Sequence, residues 1–444
     1  MSRPIFSDIE SPAMKSQEID NLKTNSKRTG ICTAVAFVFG FIGFCMAAAA
    51  VAGVRQLMID SQVKTGAILT VGNASPLKGH SKAYSLYAGS GQWTSKTVLP
   101  ENLSDFQAVS HKTHIYIIGG QDDQVRSTNA DGSTCTPGVP ANQDCKGDWK
   151  NTVYQYDTKL DKYTTKAAIT DNGVAAIRYR YASAVVGDKI YIIGGLAGDL
   201  ATGMKKTTLI YDISTNSWSD GPNMATGRSD TCAAVVGSKI YVVAGYQSID
   251  PINVLDTVEV LDTAAASPAW TTAPSLPAKR GDITCASSGG KVYAIGGYYD
   301  PTGTWKPGAF HDTMFEFTPG AAAWVEKAKM PSSRGDKAAV TMSDGSIIVV
   351  GGETHARAEQ TQVAAHPVEQ YYPAHDTWVP KASIPTARFR FGAAQVDDIV
   401  YAMGGHPVCE TLDYESMAST CASQTLDSVE ALLDVAHPDI WVHV

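Results

Sequence analysis

The chain writes one apolar hexamer six times, and every copy ends in glycine. The copies read IYIIGG ending at Gly120, IYIIGG at Gly195, IYVVAG at Gly245, VYAIGG at Gly297, IIVVGG at Gly352 and VYAMGG at Gly405. From 120 to 195 the step is 75 residues; from 195 through 245, 297 and 352 to 405 the steps are 50, 52, 55 and 53. Runs this short and this rich in β-branched and aromatic residues are buried strands, not helices. Six phased copies restrict the chain to an array of like units, because one such unit cannot bury its apolar faces alone.

The text around each hexamer fills in the unit. A second strand precedes it, as in YASAVVGDK, TCAAVVGSK and ITCASSGGK, and the Gly-Asp, Gly-Ser or Gly-Gly between the two is hairpin chemistry. The terminal glycines are the structural mark of the repeat: Gly119 and Gly120, Gly194 and Gly195, Gly245 alone, Gly296 and Gly297, Gly351 and Gly352, and Gly404 and Gly405. Each is a place where a neighbouring backbone is expected to come close. Downstream, LIYDISTNSW runs to Trp218, VEVLDTAAASPAW to Trp270, MFEFTPGAAAW to Trp324 and VEQYYPAHDTW to Trp378. Tyr163 holds the tryptophan place in the first copy, and VEALLDVAHPDIW to Trp441 closes the series. In most copies an aromatic residue stands seven positions before the tryptophan. That is a third strand, a turn and a fourth strand. Four strands in about 50 residues make one propeller blade.

Gly-Gly after an apolar strand, a Tyr-Asp-like pair and a spaced tryptophan together resemble the kelch repeat, and the resemblance covers residues 101–444. It implies an all-β, kelch-type β-propeller of six four-stranded blades. Ahead of it, AYSLYAGSGQWTSKTVLP places Trp93 in phase, and GAILTVGN could be a degenerate inner strand. The 55–100 segment is therefore a stalk followed by either a partial seventh blade or a packed-on hairpin, with strands from both chain ends meeting where the ring closes.

Counting back from each glycine pair finds a second series. Arg178, Arg228, Arg280 and Arg388 stand 16 residues before the first position of the pair, and Arg334 stands 17 before it. Asp230, Asp282 and Asp336 follow three of these arginines by two residues, so Arg280-Gly281-Asp282 and Arg334-Gly335-Asp336 are two members of a repeat, not isolated adhesion motifs. The first blade has Leu103 at this phase. The resemblance places the series in loops around one mouth of the central channel. There it would tie adjacent blades through carbonyls and carboxylates, or offer a polar surface to an anionic or hydroxyl-rich ligand. Cys232 and Cys285 fall in the innermost strands of neighbouring blades and are expected as buried free thiols, a disulfide requiring Cα atoms within about 7 Å.

The N-terminal region has a different character. Residues 31–54, ICTAVAFVFGFIGFCMAAAAVAGV, carry no charge. At about 1.5 Å per residue they reach roughly 36 Å, enough for a transmembrane helix. Lys23, Lys27 and Arg28 before it predict a short cytosolic tail over 1–30 and a type II signal anchor, with the propeller lumenal or extracellular. The alternative is a secretory signal cleaved near Ala52. Cys135 with Cys145, and Cys409 with Cys421, form two local pairs in polar loops and are the disulfide candidates. Asn73 and Asn102 head the glycosylation sequons.

The net charge of −8, with no strongly basic stretch in the propeller, argues against nucleic acid as a partner. There is no phosphate loop, no zinc-protease pair of histidines and no nucleophile elbow. Glu353 beside His355, His406 beside Cys409 and Glu410, and the acidic QDDQ at 121–124 are the metal candidates weighed, and none leads to an expected metal or cofactor. Kelch propellers include a copper radical oxidase and a sialic-acid epimerase. The oxidase ligands do not map onto this chain, whereas the arginine series is loosely like the epimerase mouth. The expected role is a membrane-anchored recognition module for a protein or glycan. A carbohydrate-active enzyme and a structural cell-surface protein stand as alternatives.

Overall fold

Each glycine-ended hexamer forms the second strand of a four-stranded antiparallel sheet. The second blade shows why. Ala182–Val186 alternates buried and half-buried positions, Gly187-Asp188 turns the chain with Gly187 at φ +61°, and Lys189–Ile193 returns with its last four residues buried. A strand covered on both faces must be apolar throughout. Thr208–Asp212 and Ser217–Asp220 add the third and fourth strands, the last being mostly exposed.

The computed structural model describes residues 91–122, 149–198, 203–248, 252–302, 309–355, 362–407, 412–413, 418–419 and 425–433. All lie within one compact unit, Tyr87–Pro438. Six four-stranded sheets are present among them. The innermost strands are Gln107–His111, Ala182–Val186, Cys232–Val236, Thr284–Ser288, Ala338–Thr341 and Gly392–Val396. Each touches the next, and the sixth touches the first, so the ring is closed. One apolar core fills each of the six blade interfaces. Between the first and second blades, for example, Tyr116, Ile118 and Val153 pack on Tyr181, Ile190, Ile192 and Tyr211. Two-stranded ribbons at Thr170–Asp171 with Val174–Ala175, Glu353–His355 with Gln362–Ala364, and Leu412–Asp413 with Ala418–Ser419 decorate the loops.

Closure bears out six blades and settles the open question of the segment before them. Gln92–Lys96 does not begin a seventh blade. It is the outermost strand of the sixth, pairing with Val429–Leu433 from Lys96↔Val429 to Gln92↔Leu433. Trp93 therefore takes the sixth tryptophan place, which the repeat pattern assigned to Trp441, a residue outside the described ones. The indole N–H of Trp93 donates to Ala382 O at 2.9 Å. This matches Trp218 to Ala167 O at 2.9 Å, and Trp270 to Pro222 O, Trp324 to Pro274 O and Trp378 to Ala328 O at 2.8 Å. In each case the indole reaches the preceding blade. The aromatic residue seven positions earlier is its cross-strand neighbour, with ring centroids 5.2 Å apart in Tyr211–Trp218 and 5.1 Å in Tyr371–Trp378.

Candidate functional site at the propeller axis

The five phased arginines are buried, between 0% and 4% exposed, so they do not line a channel mouth as a ligand-facing rim. Three of them make one repeated constellation. Arg228 Nη1 donates to Ala244 O and Thr257 O, both at 2.9 Å, and Nη2 donates to Glu259 at 2.7 Å. Arg334 treats Gly351 O, Pro367 O and Glu369 likewise, and Arg388 treats Gly404 O, Ser428 O and Glu430 likewise. Each guanidinium thus ties its loop to the second and third strands of its own blade, with its charge met by a buried carboxylate. Arg178 uses Asp171 and Thr207 instead. Arg280 reaches Thr313 Oγ1 at 3.0 Å, but Phe315 stands two residues on where a glutamate follows Thr257. Burial without that carboxylate pulls Arg280 down to about 10. In the first blade Leu103 is buried, and Glu101 takes the polar load with Lys150, Thr152 and Tyr154.

Main-chain bonds also tie blade to blade, and the repeat glycines make them possible. The first glycines of three pairs, Gly119, Gly194 and Gly296, have φ of +54°, +72° and +56°. A Cβ on any of them would collide with a carbonyl of the following blade, that of Arg178, Arg228 and Arg334 respectively. At Gly296 the buried Lys337 side chain closes the same space. Gly351 and Gly404 meet Arg388 O and Leu103 O in the same way. The second glycine of each pair then supplies the bond. Gly195 N–H donates to Arg228 O at 2.8 Å, and the series closes the ring with Gly405 N–H to Leu103 O at 2.7 Å. Ala244 replaces a first glycine and takes the left-handed φ of 56° itself.

The residue two places after each member of the arginine series lies at the axis. Asp105, Arg180, Asp230, Asp282, Asp336 and Arg390 all have positive φ, between 43° and 54°. Their main chains are linked in a circle. Asp105 N–H donates to Arg390 O and Arg180 N–H to Asp105 O at 2.8 Å, Asp230 N–H to Arg180 O at 3.0 Å, and Asp336 N–H to Asp282 O and Arg390 N–H to Asp336 O at 3.1 Å. Only the step from Asp230 to Asp282 lacks such a bond among the described residues.

The charges on this ring are unevenly shared. Asp105, fully buried, sits between Arg180 Nε at 2.7 Å and Arg390 Nε at 3.7 Å, and accepts from Ser104 Oγ and Gln121 Nε2. Burial opposes its ionisation, but the two guanidiniums outweigh that and hold it far below the usual carboxylate range. Arg390 also pairs with Asp336 at 2.7 Å, and Arg180 reaches Asp230 at 3.8 Å. Asp282 accepts from Tyr246 Oη at 2.9 Å and has no described cation within ion-pair distance. Burial, then the charges of Asp336, Asp230 and Glu353, push it well above the ordinary range. Glu353 is pushed up to about 8, first by burial and then by Asp336.

Residues 180–405, just over half of the chain, match the model of the KLHDC2/KLHL20/DRC7 kelch-repeats domain. The chain belongs to the kelch-repeat family. Alpha-scruin of Limulus polyphemus is 25% identical over 261 residues, 57% of this chain and 27% of its own length. Kelch-like protein terF of Aspergillus terreus is 28% identical over 282 residues, 50% of this chain and 60% of its own. The chain thus spans less than two thirds of the length of these curated relatives. The solved structure of YjhT superimposes with a TM-score of 0.55 at 14% identity, covering 75% of this chain and 95% of that one, a likeness of fold alone.

On this kelch ring the two Arg-Gly-Asp sequences have a steric explanation. A Cβ on Gly281 would overlap the Tyr246 ring, and one on Gly335 would lie 2.6 Å from Phe310. The middle residue of each triplet bridges to the residue after the glycine pair, Gly281 to Tyr298 and Gly335 to Glu353. Arg280, Asp282 and Arg334 are all buried.

Of the predicted aspartates, Asp230, Asp282 and Asp336 do converge, with one carboxylate oxygen from each within 4.8 Å of the others. Asp105, Arg180 and Arg390 complete their ring and were missed. The signal was present in Leu103-Ser-Asp105, Arg178-Tyr-Arg180 and Arg388-Phe-Arg390, which share the offset but not the acid. Cys232 and Cys285 are not free thiols. They form a disulfide with Cα atoms 5.4 Å apart, because innermost strands converge on the axis more closely than the repeat spacing reveals. It joins the third and fourth blades, the interface at which the axial main-chain circle is open. The pairs Cys135 with Cys145 and Cys409 with Cys421, Asn73 and the 31–54 span lie outside the described residues, among which no helix is long and apolar enough to cross a membrane. Asn102 is half-buried, and Ser104 of its sequon is buried against Asp105. His406 lies 3.6 Å from Asp105, and His355 forms part of a loop ribbon.

Proposed function

We propose that this kelch ring is a recognition module that binds a protein partner on one face. The observation carrying the reading is the asymmetry of its connections. On one face every link between first and second strands is short, as at His111–His114, Val186–Lys189, Val236–Lys239 and Val396–Ile399. On the other face the links between second and third strands are long, from Ile118 to Val153, Ile193 to Thr208, Ile295 to Met314, Val350 to Val368 and Met403 to Val429. Antiparallel alternation puts the loops bearing the charged axial residues on that same long-loop face. Loops held by a rigid scaffold are where binding residues concentrate. One relative, kelch-like ECH-associated protein 1B of Danio rerio, is 28% identical over 118 residues, 27% of this chain and 18% of its own. Its name records an association with ECH, and a protein partner for this chain is consistent with that precedent.

The anchor belongs to the same proposal. Residues 31–54 would hold the ring at a membrane, with the propeller lumenal or extracellular, and the Cys232–Cys285 bond suits an oxidising compartment. The test uses the full chain in cells with proximity cross-linkers placed on either face, at Lys205 in a long loop and at Lys112 in a short turn. Protein adducts from the long-loop face that vanish when residues 123–148 are replaced by a Gly-Ser linker are expected. Adducts only from the short-turn face, or none alongside selective glycan-array binding, would overturn it. Protease protection of the propeller in sealed microsomes, with a mass shift on deglycosylation at Asn73, is the expected topology result; digestion of the propeller would remove the lumenal placement.

A further inference from the structure

We propose that Asp230, Asp282 and Asp336, with Glu353 beside them, form a calcium-class divalent cation site on the propeller axis. This goes beyond the recognition role and does not depend on it. The three aspartates come from three successive blades, and their nearest carboxylate oxygens all lie within 4.8 Å of one another. That is the span of two oxygens on opposite sides of a calcium ion at about 2.4 Å. Each side chain is already steered by a bond on one oxygen, and the second oxygen of Asp230 also lies 3.8 Å from Arg180 Nε. Tyr246 Oη holds Asp282 Oδ2, Arg390 Nε holds Asp336 Oδ2, and Ser229 Oγ holds Asp230 Oδ2 at 2.7 Å.

A second observation points at a ligand. Glu353 is 1% exposed, and its Oε2 has no hydrogen-bond partner. Its main chain is bridged to Gly335, the neighbour of Asp336, and its charge is felt by Asp336, Asp230 and Asp282. A carboxylate buried without a partner is costly, and a metal ion is one of the few groups that can satisfy it. The charge count agrees. Asp105, Asp230, Asp282, Asp336 and Glu353 are five carboxylates against Arg180, Arg390 and Lys337, which lies beside Asp336 with its Nζ on Ile295 O. With all five ionised, two negative charges remain, the charge one divalent ion supplies. Arg180 lies nearer Asp105 than Asp230, while Arg390 lies nearer Asp336 than Asp105, so of the three aspartates Asp282 alone has no described guanidinium within ion-pair distance. An all-oxygen donor set spread over up to 4.8 Å favours calcium over magnesium, which needs shorter bonds.

The test is calcium titration of the full chain after chelator treatment, followed by calorimetry, with terbium luminescence excited through tyrosine as a second readout. Tyr246 Oη, 2.9 Å from Asp282, is the antenna. Saturable one-to-one binding is expected, with terbium emission displaced by calcium and the melting temperature raised. D282N and D336N, checked for native circular dichroism, should lose at least tenfold in affinity. E353Q should weaken binding, and D188N in a short turn of the opposite face should not. Absence of binding would overturn the site. So would binding unchanged in D282N and E353Q, or binding lost only in D122N. A D282N protein of higher melting temperature, with the parent indifferent to calcium, would mean that the carboxylates share protons instead.

Discussion

The indole of Trp93 donates to the main-chain carbonyl of Ala382, 289 residues further along the chain, at 2.9 Å. The same bond in Trp378, to Ala328, spans only 50 residues. One contact geometry therefore does two jobs, fastening neighbouring blades and, at Trp93, closing the ring. Trp93→Ala is expected to cost about 2–4 kcal/mol in denaturant unfolding, since the ring is half-buried against the core between the fifth and sixth blades. A midpoint unchanged by this substitution would mean that Gln92–Lys96 does not complete the sixth blade.

Glu430 meets Arg388 inside the sixth blade, where the guanidinium is fully buried. Removing one partner strands the other, so Glu430→Ala should cost about 3–5 kcal/mol, while replacing both residues by Met should recover most of that. Arg280 lacks such a carboxylate, so Arg280→Met should cost far less than Arg228→Met. Equal losses at the two arginines would show that the carboxylate contributes nothing.

Gly335 has no room for a methyl group, with Phe310 on one side and Asp282 Cβ at 3.1 Å from the added atom. Gly335→Ala should destabilise by about 1–3 kcal/mol through overpacking. Cell attachment to the immobilised folded protein should be insensitive to soluble Arg-Gly-Asp peptide. Attachment that the peptide blocks would contradict the burial of Arg280, Asp282 and Arg334.

The Cys232–Cys285 bond closes a loop of 53 residues. Its loss in a double Cys→Ala variant should lower stability by about 2–4 kcal/mol. A variant as stable as the parent, with no mass difference between the parent protein alkylated with and without reductant, would show the thiols to be unbonded.

His311 is held neutral in the fold. Burial, and then the nearby Arg280 charge, bring it down from 6.5 to about 4. A depressed base favours the native state above its unfolded value, so this contribution is present above pH 6.5 and is lost as pH falls through about 4. Unfolding midpoints across that window should slope downward with acid, and His311→Gln should flatten the slope. An identical slope in the variant would assign the acid sensitivity to other groups.

Much of this architecture could be read from the chain because its constraints are local. A glycine pair such as Gly194 and Gly195 records close approach of a neighbouring backbone, and Tyr211 and Trp218 meet across a hairpin of fixed length. The ring closure was harder to read. Trp93 is in phase with the other tryptophans, but nothing near it states that its partners are Val429–Leu433. The arginines left two roles open, a tie through carbonyls and carboxylates or a polar mouth. A charged residue in a loop suggests a solvated mouth, and only the paired Glu259, Glu369 and Glu430, far along the chain, reveal that the charge is buried. The axial ring hid because its members differ in sign while sharing one backbone conformation.

The pairing of Gln92–Lys96 with Val429–Leu433 also sets an order in time. The first of the blade strands to leave the ribosome waits for the last to be made, so the sixth blade cannot be completed until nearly all of the propeller has been synthesised. During that interval the innermost strands of five blades can form their hairpins in sequence, while the early strand stays an unpaired edge. Such a chain should show fast local hairpin formation followed by a slow final step, as long-range strand pairing demands. A nascent chain released short of Val429 would carry that edge permanently, as a template for another copy.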